Sequence, residues 1–467
     1  MIRQCVLAVG LFSVLCSGCS HPGTLIGRPS KAFSSPGPIS VYFNHRREGR
    51  YQSPFTGQWR DGDNLEALLL NEINEAKQEI LIAVQELSRP TIAKALVTAQ
   101  QRQVDVRVVL ENNYSQPWSQ QLASHLPKHQ RQRWEQLNAL ADDNKDGITS
   151  ADEAYKGDAI AILNRHRIPW IDDTEDGSRG SGLMHHKFVV IDQHVVITGS
   201  ANFTASGLHG DANAPNTRGN VNHLLRIESG DLATVFRTEF MQLWGDGPGG
   251  KKDSQFGLKK NSSGASVVDV GGNRVEVLFP PHRKRDANNG LEWLAAHLSR
   301  AQHTIDLALF VFSAQSLANI LQEQVEDGVA IRLIADPGFA SRSFSEVLDL
   351  LGVALPDHTC QLEANNQPFT TPLKGVGTPR LSRGDKLHHK FAVIDNKTVI
   401  TGSFNWSPSA AHTNDETLLA IHSPQLAKHF TREMDRLWDN AELGITPHIQ
   451  RKLDRQKIRC GDGVERD

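Results

Sequence analysis

Two stretches of the chain share one order of apolar and polar positions. "EILIAVQELSRPTIAKALVTAQQRQVDVRVVLE", residues 79–111, contains an apolar run of strand length, a helical pattern and a second β-branched run. "TIDLALFVFSAQSLANILQEQVEDGVAIRLIAD", residues 304–336, repeats that order. Strand, helix and strand in this sequence predict parallel strands with helices packed on the faces of a sheet.

The similarity extends on both sides of these stretches and indicates an internal duplication. "ISVYFNHRR" from residue 39 matches "VEVLFPPHR" from residue 275, and each copy later has an "HHK" strand, a "TGS" turn, a closing strand and a final helix. We therefore expect an α/β protein made of two tandem duplicated domains, each a mixed β-sheet flanked by helices. The expected bounds are domain 1 at 40–246, a surface linker rich in Gly, Ser and Lys at 247–272, domain 2 at 273–447 and a charged tail at 448–467. A pseudo-two-fold assembly would let equivalent strands meet at one shared cleft.

The N-terminus has the features of an export signal. Arg3 precedes the apolar stretch "CVLAVGLFSVLC", which is too short to span a bilayer comfortably. "SGC" ends at Cys19 and resembles a bacterial lipoprotein cleavage site, although Cys16 stands where leucine is usual. We expect a signal peptide at 1–19, a lipidated Cys19, a tether at 20–39 and a membrane-anchored protein of the bacterial cell envelope. A plain secretory signal and an uncleaved anchor are the alternatives.

Composition changes this picture little. The 467 residues carry a net charge of -3, without the strongly basic balance of a dedicated nucleic-acid binder, although a local cleft can still be positive. Beyond Cys19 only Cys360 and Cys460 remain, and they form either one bridge or two unrelated thiols. No protein partner is inferred.

The repeated "HHK" segment offers the chemistry of a phosphodiester site. In the strand "HHKFVVID", side-chain alternation puts the first histidine and the lysine on one face and the second histidine and the aspartate on the other. Two lysines can balance the phosphate charge while serine and asparagine side chains donate hydrogen bonds to its oxygens. One imidazole can attack phosphorus and the other can protonate the departing alcohol, so no metal or other cofactor is required. His186 and His389 face the other way and are interpreted as structural.

H-x-K-x4-D followed by G-S-x-N, present twice, resembles the signature of the phospholipase D superfamily. The resemblance implies a phosphohistidine intermediate, with His185 as nucleophile and His388 as acid and then base. It also implies that Glu416 orients a histidine, whereas the first copy has Asn222 at that place and thus a different electrostatic setting. The catalytic residues implied are His185, Lys187, Asp192, His388, Lys390, Asp395 and Glu416, with Ser200, Asn202, Ser403 and Asn405 as phosphate ligands. Strand alternation nevertheless predicts that the two aspartates support the domains and do not touch phosphate.

"DDNKDGITSADE", residues 142–153, resembles an EF-hand loop inserted in domain 1. Asp142, Asn144, Asp146 and Glu153 occupy ligand positions and Gly147 the sixth position. The eighth position holds a threonine instead of an apolar residue, and no second hand is visible. Calcium in a structural or regulatory role is one interpretation, and a polar turn between two helices is the other.

These observations predict a phosphodiesterase with phospholipid as substrate, acting by hydrolysis or transfer at the distal phosphate ester. A tethered enzyme would meet membrane lipid at high effective concentration. A nuclease using the same residues on DNA or RNA is the main alternative. A catalytically silent calcium-binding envelope protein is the alternative from another class.

Overall fold

The computed structural model describes residues 37–177, 182–210, 214, 216–261 and 264–464. The predicted signal peptide, Cys19 and nearly all of the predicted tether lie outside these residues. In the described part of the chain, no helix combines the length and apolarity needed to cross a bilayer.

The first half builds a seven-stranded mixed sheet in the order β1-β9-β8-β7-β4-β5-β6, with β2 and β3 forming a separate hairpin. Its strands are β1 (Ile39–Phe43), β2 (Arg50–Gln52), β3 (Trp59–Asp61), β4 (Glu79–Val84), β5 (Asp105–Leu110), β6 (Trp170–Asp172), β7 (Lys187–Ile191), β8 (Val195–Gly199) and β9 (His223–Glu228). Its helices are α1 (Leu65–Glu75), α2 (Pro90–Gln101), α3 (Lys128–Ala141), α4 (Ala151–Gly157), α5 (Ala159–Arg165), α6 (Ala205–Leu208) and α7 (Gly230–Trp244).

The second half builds a nine-stranded sheet in the order β10-β11-β17-β16-β15-β12-β13-β14-β18. Its strands are β10 (Ser266–Val270), β11 (Asn273–Leu278), β12 (Thr304–Leu309), β13 (Ala330–Ala335), β14 (Val376–Thr378), β15 (Lys390–Ile394), β16 (Thr398–Gly402), β17 (Leu418–His422) and β18 (Glu442–Leu443). Its helices are α8 (Gly290–Leu298), α9 (Gln315–Glu326), α10 (Pro337–Ala340), α11 (Glu346–Leu350), α12 (Pro408–His412), α13 (Pro424–Trp438) and α14 (Pro447–Cys460). Its seven central strands repeat the order of the first sheet, which confirms the predicted duplication.

The central strands are buried on both faces because both faces of each sheet are covered. Along β4, Leu81 and Ala83 enter one core, whereas Ile80, Ile82 and Val84 enter another. The predicted βαβ units are present, since β4 pairs with β5, and β12 with β13, in parallel. The sheet turns mixed where the "HHK" strands β7 and β15 join β4 and β12 in antiparallel fashion.

One apolar core joins the two halves. It contains Phe188 and Phe236 from the first half and Phe391 and Phe430 from the second, all fully buried. The ring of Phe43 in β1 meets the ring of Phe430 in α13 edge to face, with centroids 5.1 Å apart. Burial of such aromatic area is a large stabilising contribution, so the halves are held in a fixed relative position.

The predicted linker and tail hold more regular structure than expected. Within 247–272, β10 adds an antiparallel edge strand to the second sheet, and Phe256 is buried in the shared core. The hairpin from β10 to β11 turns on Gly271 and Gly272, both at positive φ. A Gly-Gly pair between β-branched runs is a hairpin signal, so this strand could have been found in the sequence. The tail forms α14, which a disulfide between Cys360 and Cys460 fastens to the body.

The two signature aspartates stabilise the sheet ends, as strand alternation predicted. Asp192 accepts backbone N–H groups from 77–79, and Asp395 accepts them from 302–304. Each lies five residues beyond its lysine, at the far end of a strand and therefore roughly 16 Å away. The structure therefore corrects the prediction that Asp192 and Asp395 are catalytic, because both stabilise the fold.

Asp395→Ala is expected to lower the free energy of unfolding by about 1–3 kcal/mol, because three backbone donors lose a charged acceptor. Urea denaturation measures this change, and kcat of the folded fraction should stay within about threefold of wild type. Asp327→Ala, at an exposed position, is the control and should leave stability unchanged. A large fall in kcat at unaltered stability would contradict the structural role.

Candidate active site

Main-chain contacts between the halves place the two signature histidines. The N–H of His185 donates to the carbonyl of Asp415 at 2.8 Å, and the N–H of Asp415 donates to the carbonyl of Leu183 at 2.8 Å. The reciprocal arrangement joins the segment before β15 to the first half, where the N–H of His388 donates to the carbonyl of Val221 at 3.0 Å. The residues that precede each "HHK" strand therefore pair with the residues that follow the G-S-x-N turn of the other half.

The imidazole of His185 is held by a carboxylate from the second half. Its Nδ1 lies 2.8 Å from Oε2 of Glu416, which is completely buried. Ser403 Oγ donates to the same carboxylate oxygen, and Asn414 Nδ2 donates to Oε1 at 3.3 Å. Because a carboxylate accepts, Nδ1 carries the proton and Nε2 keeps a free lone pair. The structure thus places Glu416 where the resemblance implied, and it shows that the contact crosses between the halves.

The imidazole of His388 is held by a neutral amide from the first half. Its Nδ1 lies 2.9 Å from Oδ1 of Asn222, and Ser200 Oγ donates to that oxygen at 2.8 Å. Nδ2 of Asn222 donates to the carbonyl of Gly207 at 2.9 Å, which fixes the orientation of the amide. The two histidines have equivalent partners in position but not in charge, as the difference between Asn222 and Glu416 predicted.

The two serines position these partners and are not free phosphate donors. Each hydroxyl donates to Asn222 or Glu416, and each Oγ accepts a backbone N–H, from His223 at 3.1 Å for Ser200 and from Thr417 at 2.9 Å for Ser403. The expectation that both serines hydrogen-bond phosphate is therefore corrected. A hydroxyl has one proton, and here that proton is already used.

The two lysines are buried beside their histidines. Lys187 Nζ donates to the carbonyl of His185 at 2.8 Å, and Lys390 Nζ donates to the carbonyl of His388 at 2.8 Å. Burial lowers the pKa of Lys187 to about 7 and holds the pKa of Lys390 well below its usual range, where the charge of Lys187 lowers it further. The influence of Lys187 on Lys390 indicates that both ammonium groups face one site.

Two residues that the sequence analysis missed make the lysine sites different. Gln85, just after β4, accepts from Lys187 Nζ at 3.3 Å and from Asn202 Nδ2 at 3.2 Å. Phe310, just after β12, takes the equivalent place and puts its ring centroid 5.0 Å from Lys390 Nζ. Both follow the carboxyl end of a parallel strand, which is where α/β sheets place their sites, and this is the signal that could have found them.

Both asparagines of the G-S-x-N turns keep an unused polar atom. The Oδ1 atoms of Asn202 and Asn405 are buried and have no hydrogen-bond partner. Buried acceptors without partners are rare in proteins and are concentrated at functional sites. An amide oxygen accepts hydrogen bonds and does not donate to phosphate, so binding of phosphate by Asn202 and Asn405 stays a prediction.

Burial keeps both histidines neutral in the free protein. It lowers the pKa of His185 to about 4, against the opposing charge of Glu416 and with a further lowering by Lys187. It also lowers the pKa of His388 well below its usual range, and Lys390, Lys187 and His185 lower it further. The influence of His185 on His388 places the two rings in one electrostatic environment.

Binding of tungstate, a phosphate analogue, is expected to take up protons near pH 7, because an anion raises the pKa of Lys187 from about 7. The affinity should therefore fall as the pH rises above that value and Lys187 becomes neutral. Calorimetry in buffers with different heats of ionisation measures the proton uptake. Lys187→Met should lose part of it, whereas uptake equal to wild type in that variant would contradict the assignment.

The second histidine of each motif belongs to a buried network, as expected. His186 Nε2 lies 3.1 Å from Glu239 Oε1, and Lys260 from the predicted linker pairs with Glu239 and with Asp415 at 2.9 Å. His389 Nε2 lies 2.9 Å from Glu433. Of these contacts, those of Lys260 join the halves behind the site, because it pairs with Glu239 of the first half and with Asp415 of the second.

The EF-hand-like loop lies between α3 and α4. Asp142 accepts the N–H of Gly147 at 2.8 Å, Asp146 accepts the N–H of Ile148 at 2.8 Å, and Glu153 forms a capping box with Ser150. Among the described residues, the one group of three His, Cys, Asp or Glu side chains with ligand atoms within 4.8 Å lies elsewhere. The carboxylates here serve the loop and helix caps, and calcium at Asp142, Asn144, Asp146 and Glu153 stays a prediction.

Comparisons with known proteins agree with this architecture. A family profile described as "Cardiolipin synthase, PLD-like domain" matches residues 69–244 and 294–438. The mitochondrial cardiolipin hydrolase of Xenopus tropicalis is 30% identical over 158 residues, which are 33% of this chain and 65% of that protein. The mitochondrial cardiolipin hydrolase of Chlamydomonas reinhardtii is 25% identical over 199 residues, which are 38% of this chain and 80% of that protein.

A solved structure supports the fold over both halves of the chain. The crystal structure of phosphatidylserine synthase from Haemophilus influenzae Rd KW20 superposes with a TM-score of 0.52 at 13% identity, covering 91% of this chain and 95% of that one. The family match extends over most of both halves and includes both H-x-K-x4-D and G-S-x-N motifs. The chain therefore belongs to the phospholipase D superfamily, as a tandem protein of the family described as cardiolipin synthase, PLD-like domain.

Proposed function

We propose that this protein is a phosphodiesterase of the phospholipase D type that cleaves or exchanges the distal phosphate ester of phospholipids. The observation that carries the proposal is the reciprocal support of the two signature histidines. Glu416 of the second half holds His185, and Asn222 of the first half holds His388. Neither half alone contains a complete site.

The asymmetry of these partners supports different roles for the two histidines. With its Nδ1 proton held by a carboxylate, His185 presents Nε2 to phosphorus, and Glu416 offsets the positive charge that develops on the ring. The bond from Nε2 to phosphorus forms as the bond from phosphorus to the leaving alcohol oxygen breaks. His388 supplies the proton to that oxygen. A bound phosphate anion raises the pKa of His388, so its ring gains this proton when substrate binds.

The second step reverses the proton transfer. Neutral His388 takes a proton from water or from a second alcohol, whose oxygen attacks phosphorus as the bond to His185 breaks. Water gives hydrolysis and an alcohol gives headgroup exchange. Lys187 and Lys390, protonated beside the bound anion, balance the charge on the phosphate oxygens in both steps.

A cavity next to the site supports phospholipid over nucleic acid. It has a volume of about 740 Å³ and is lined by Gln85 at the Lys187 side and by further amide side chains, with Tyr114 and Arg133. Arg133 is already paired with Glu86 at 2.7 Å. A nucleic-acid channel needs several unpaired cations for successive phosphates, whereas a wall of neutral amides suits the polar alcohol of a lipid headgroup. Relatives named cardiolipin hydrolases also support a phospholipid substrate.

The decisive experiment gives purified protein three substrates separately: vesicles of phosphatidylcholine, vesicles of cardiolipin, and plasmid DNA. Mass spectrometry of the lipids and electrophoresis of the DNA follow the reaction, and a parallel reaction with a primary alcohol separates exchange from hydrolysis. We expect lipid cleavage that His185→Ala and His388→Ala abolish. Cleavage of DNA alone would favour the nuclease, and no turnover on any diester would favour a silent scaffold.

We also propose that the protein is exported to the bacterial cell envelope and anchored through a lipidated Cys19. The signal-like segment in the sequence supports this localisation. The phosphate ester of a membrane lipid would then lie near the enzyme. Incorporation of labelled fatty acid in wild type and in Cys19→Ala tests the anchor.

For the EF-hand-like loop, calorimetry with calcium on wild type and Glu153→Ala tests binding, and equal heats in both would reject the loop as a calcium site.

A further inference from the structure

Three ligand-type side chains converge at the edge of the second sheet, away from the histidine–lysine pairs. They are Glu276 from β11, His297 from α8 and His422 from the end of β17. Their ligand atoms all lie within 4.8 Å of one another, and in the described part of the chain this is the one such group of three. Glu276 and His297 are buried, and the His422 side chain is 34% exposed.

The two imidazoles point their Nε2 atoms at the carboxylate. His422 Nε2 lies 2.9 Å from Glu276 Oε1, and its Nδ1 is held by Thr398 Oγ1 at 3.0 Å. His297 Nε2 lies 3.9 Å from Glu276 Oε2, which is too far for a hydrogen bond. That nitrogen is buried and has no partner, on a residue only 5% exposed. A buried polar atom aimed at an anionic group without contact leaves room for a cation between them.

The duplication shows what occupies this place in the first half. Ile39 pairs with Ile227 as Val275 pairs with Ile421, so Ile227 and Ile421 are equivalent positions. The residues that follow them, Glu228 and His422, are therefore equivalent as well. Asp192 accepts the N–H of residue 77 and Asp395 accepts the N–H of residue 302, so positions 77 and 302 are equivalent. Counting back five residues from each makes Glu72 equivalent to His297.

In the first half these positions surround a built-in cation. Arg226 in β9 donates to Glu72 Oε1 at 2.5 Å and forms a second ion pair with Glu228. The residue equivalent to Arg226 in the second half is Ala420, since Glu276 pairs with Ala420 where Ser40 pairs with Arg226. The second half thus loses the guanidinium, replaces both carboxylates by imidazoles and gains one carboxylate on the neighbouring strand.

We propose that Glu276, His297 and His422 bind a divalent transition-metal ion, zinc by preference, in the place that Arg226 fills in the first half. Two imidazoles and one carboxylate form a common zinc ligand set, with bonds of about 2.0–2.2 Å. Ligand atoms of a tetrahedral site are then about 3.3 Å apart, between the 2.9 and 3.9 Å seen here. Calcium and magnesium prefer oxygen ligands and fit this set poorly.

The surroundings suit such an ion. Thr398 orients His422 through its other ring nitrogen, as outer partners of metal-bound histidines do. The partly exposed side of His422 gives a water molecule access to the fourth position. Arg274 Nε donates to Glu276 Oε1 at 3.1 Å, but its side chain is 58% exposed and can turn into solvent at little cost.

The ion would fasten α8 to β11 and β17. β17 begins two residues after Glu416, and β11 leads to Pro280, whose carbonyl accepts the N–H of Glu416 at 3.1 Å. The site is therefore structural. Its ligands stabilise β11 and β17, the strands next to Glu416, and do not contact the substrate.

The test compares zinc binding to full-length wild type, Glu276→Gln, His422→Gln and Glu228→Gln after removal of metal by a chelator. Glu228→Gln is the matched control, since it is the equivalent position of the first half. Calorimetry with Zn²⁺ gives affinity and stoichiometry, absorption with Co²⁺ reports tetrahedral coordination, and thermal melts with and without Zn²⁺ report coupling to folding.

We expect wild type and Glu228→Gln to bind one zinc ion that raises Tm, and each ligand variant to lose at least about tenfold in affinity. A tetrahedral cobalt spectrum in wild type should disappear in His422→Gln, whose partly exposed side chain makes misfolding an inadequate explanation. Zinc binding and melting shifts that are equal in wild type and both ligand variants would overturn the proposal. The same holds for loss of binding in Glu228→Gln alone.

Discussion

His185→Asn is expected to lower kcat on phospholipid by at least about a thousandfold, because nucleophilic attack on phosphorus has no other group to replace it. Asparagine keeps a polar group near Glu416, so the buried carboxylate retains a hydrogen-bond donor and the protein should fold. The rate is measured on vesicles, and thermal melts verify folding. His303→Asn, at an exposed position, is the control and should retain full activity.

A substrate with an activated leaving group separates the nucleophile from the acid. A p-nitrophenyl phosphodiester releases a stable phenolate and needs little protonation, so His388→Asn should recover most of its activity on it, whereas His185→Asn should not. Quenching in alkaline denaturant during turnover should trap phosphate on wild type and on His388→Asn, because the bond between histidine and phosphorus is stable in alkali and labile in acid. Recovery by His185→Asn instead of His388→Asn would reverse the two roles.

Glu416→Gln is expected to lower kcat by about a hundredfold or more, by changing both the tautomer and the charge balance of His185. The amide can donate to Nδ1, which would move the ring proton to Nε2 and occupy the lone pair that attacks phosphorus. The variant also removes the charge that raises the pKa of His185, so that pKa should fall further below about 4. Nuclear magnetic resonance of ring-labelled histidine measures the tautomer directly.

The equivalent change in the first half is the matched control for Glu416→Gln. Asn222→Asp places a carboxylate 2.9 Å from Nδ1 of His388, where it should raise the pKa of that ring. We expect a smaller loss of kcat than in Glu416→Gln and a changed pH dependence of the leaving-group step. Equal losses in both variants, with no change of tautomer at His185, would show that the asymmetry is not mechanistic.

Much of the fold follows from local pattern. Strand alternation separated His185 and Lys187 from Asp192, and the structure agrees because the strand is regular from Lys187 to Ile191. The repeated order of apolar runs predicted equivalent sheets, and both sheets keep the same central strand order. The linker prediction is wrong at β10, because a segment rich in Gly and Ser here includes a Gly-Gly hairpin between two β-branched runs.

Other features depend on contacts that no local pattern encodes. Glu416 and His185 are 231 residues apart, and the site serines use their protons on Asn222 and Glu416 instead of phosphate. Whether Cys360 pairs with Cys460 was open in the sequence and is decided by the docking of α14. The grouping of Glu276, His297 and His422 joins two strands and a helix and has no motif.

By itself, the sequence determined the duplication, the two motifs and which side chains share a strand face, because each depends on spacing within one segment. The tertiary structure decided which half supports each histidine, which hydroxyls remain free and where buried charges meet. These depend on how two separately patterned halves pack across one apolar core, and the positions of their partners are set by that packing and not by distance along the chain.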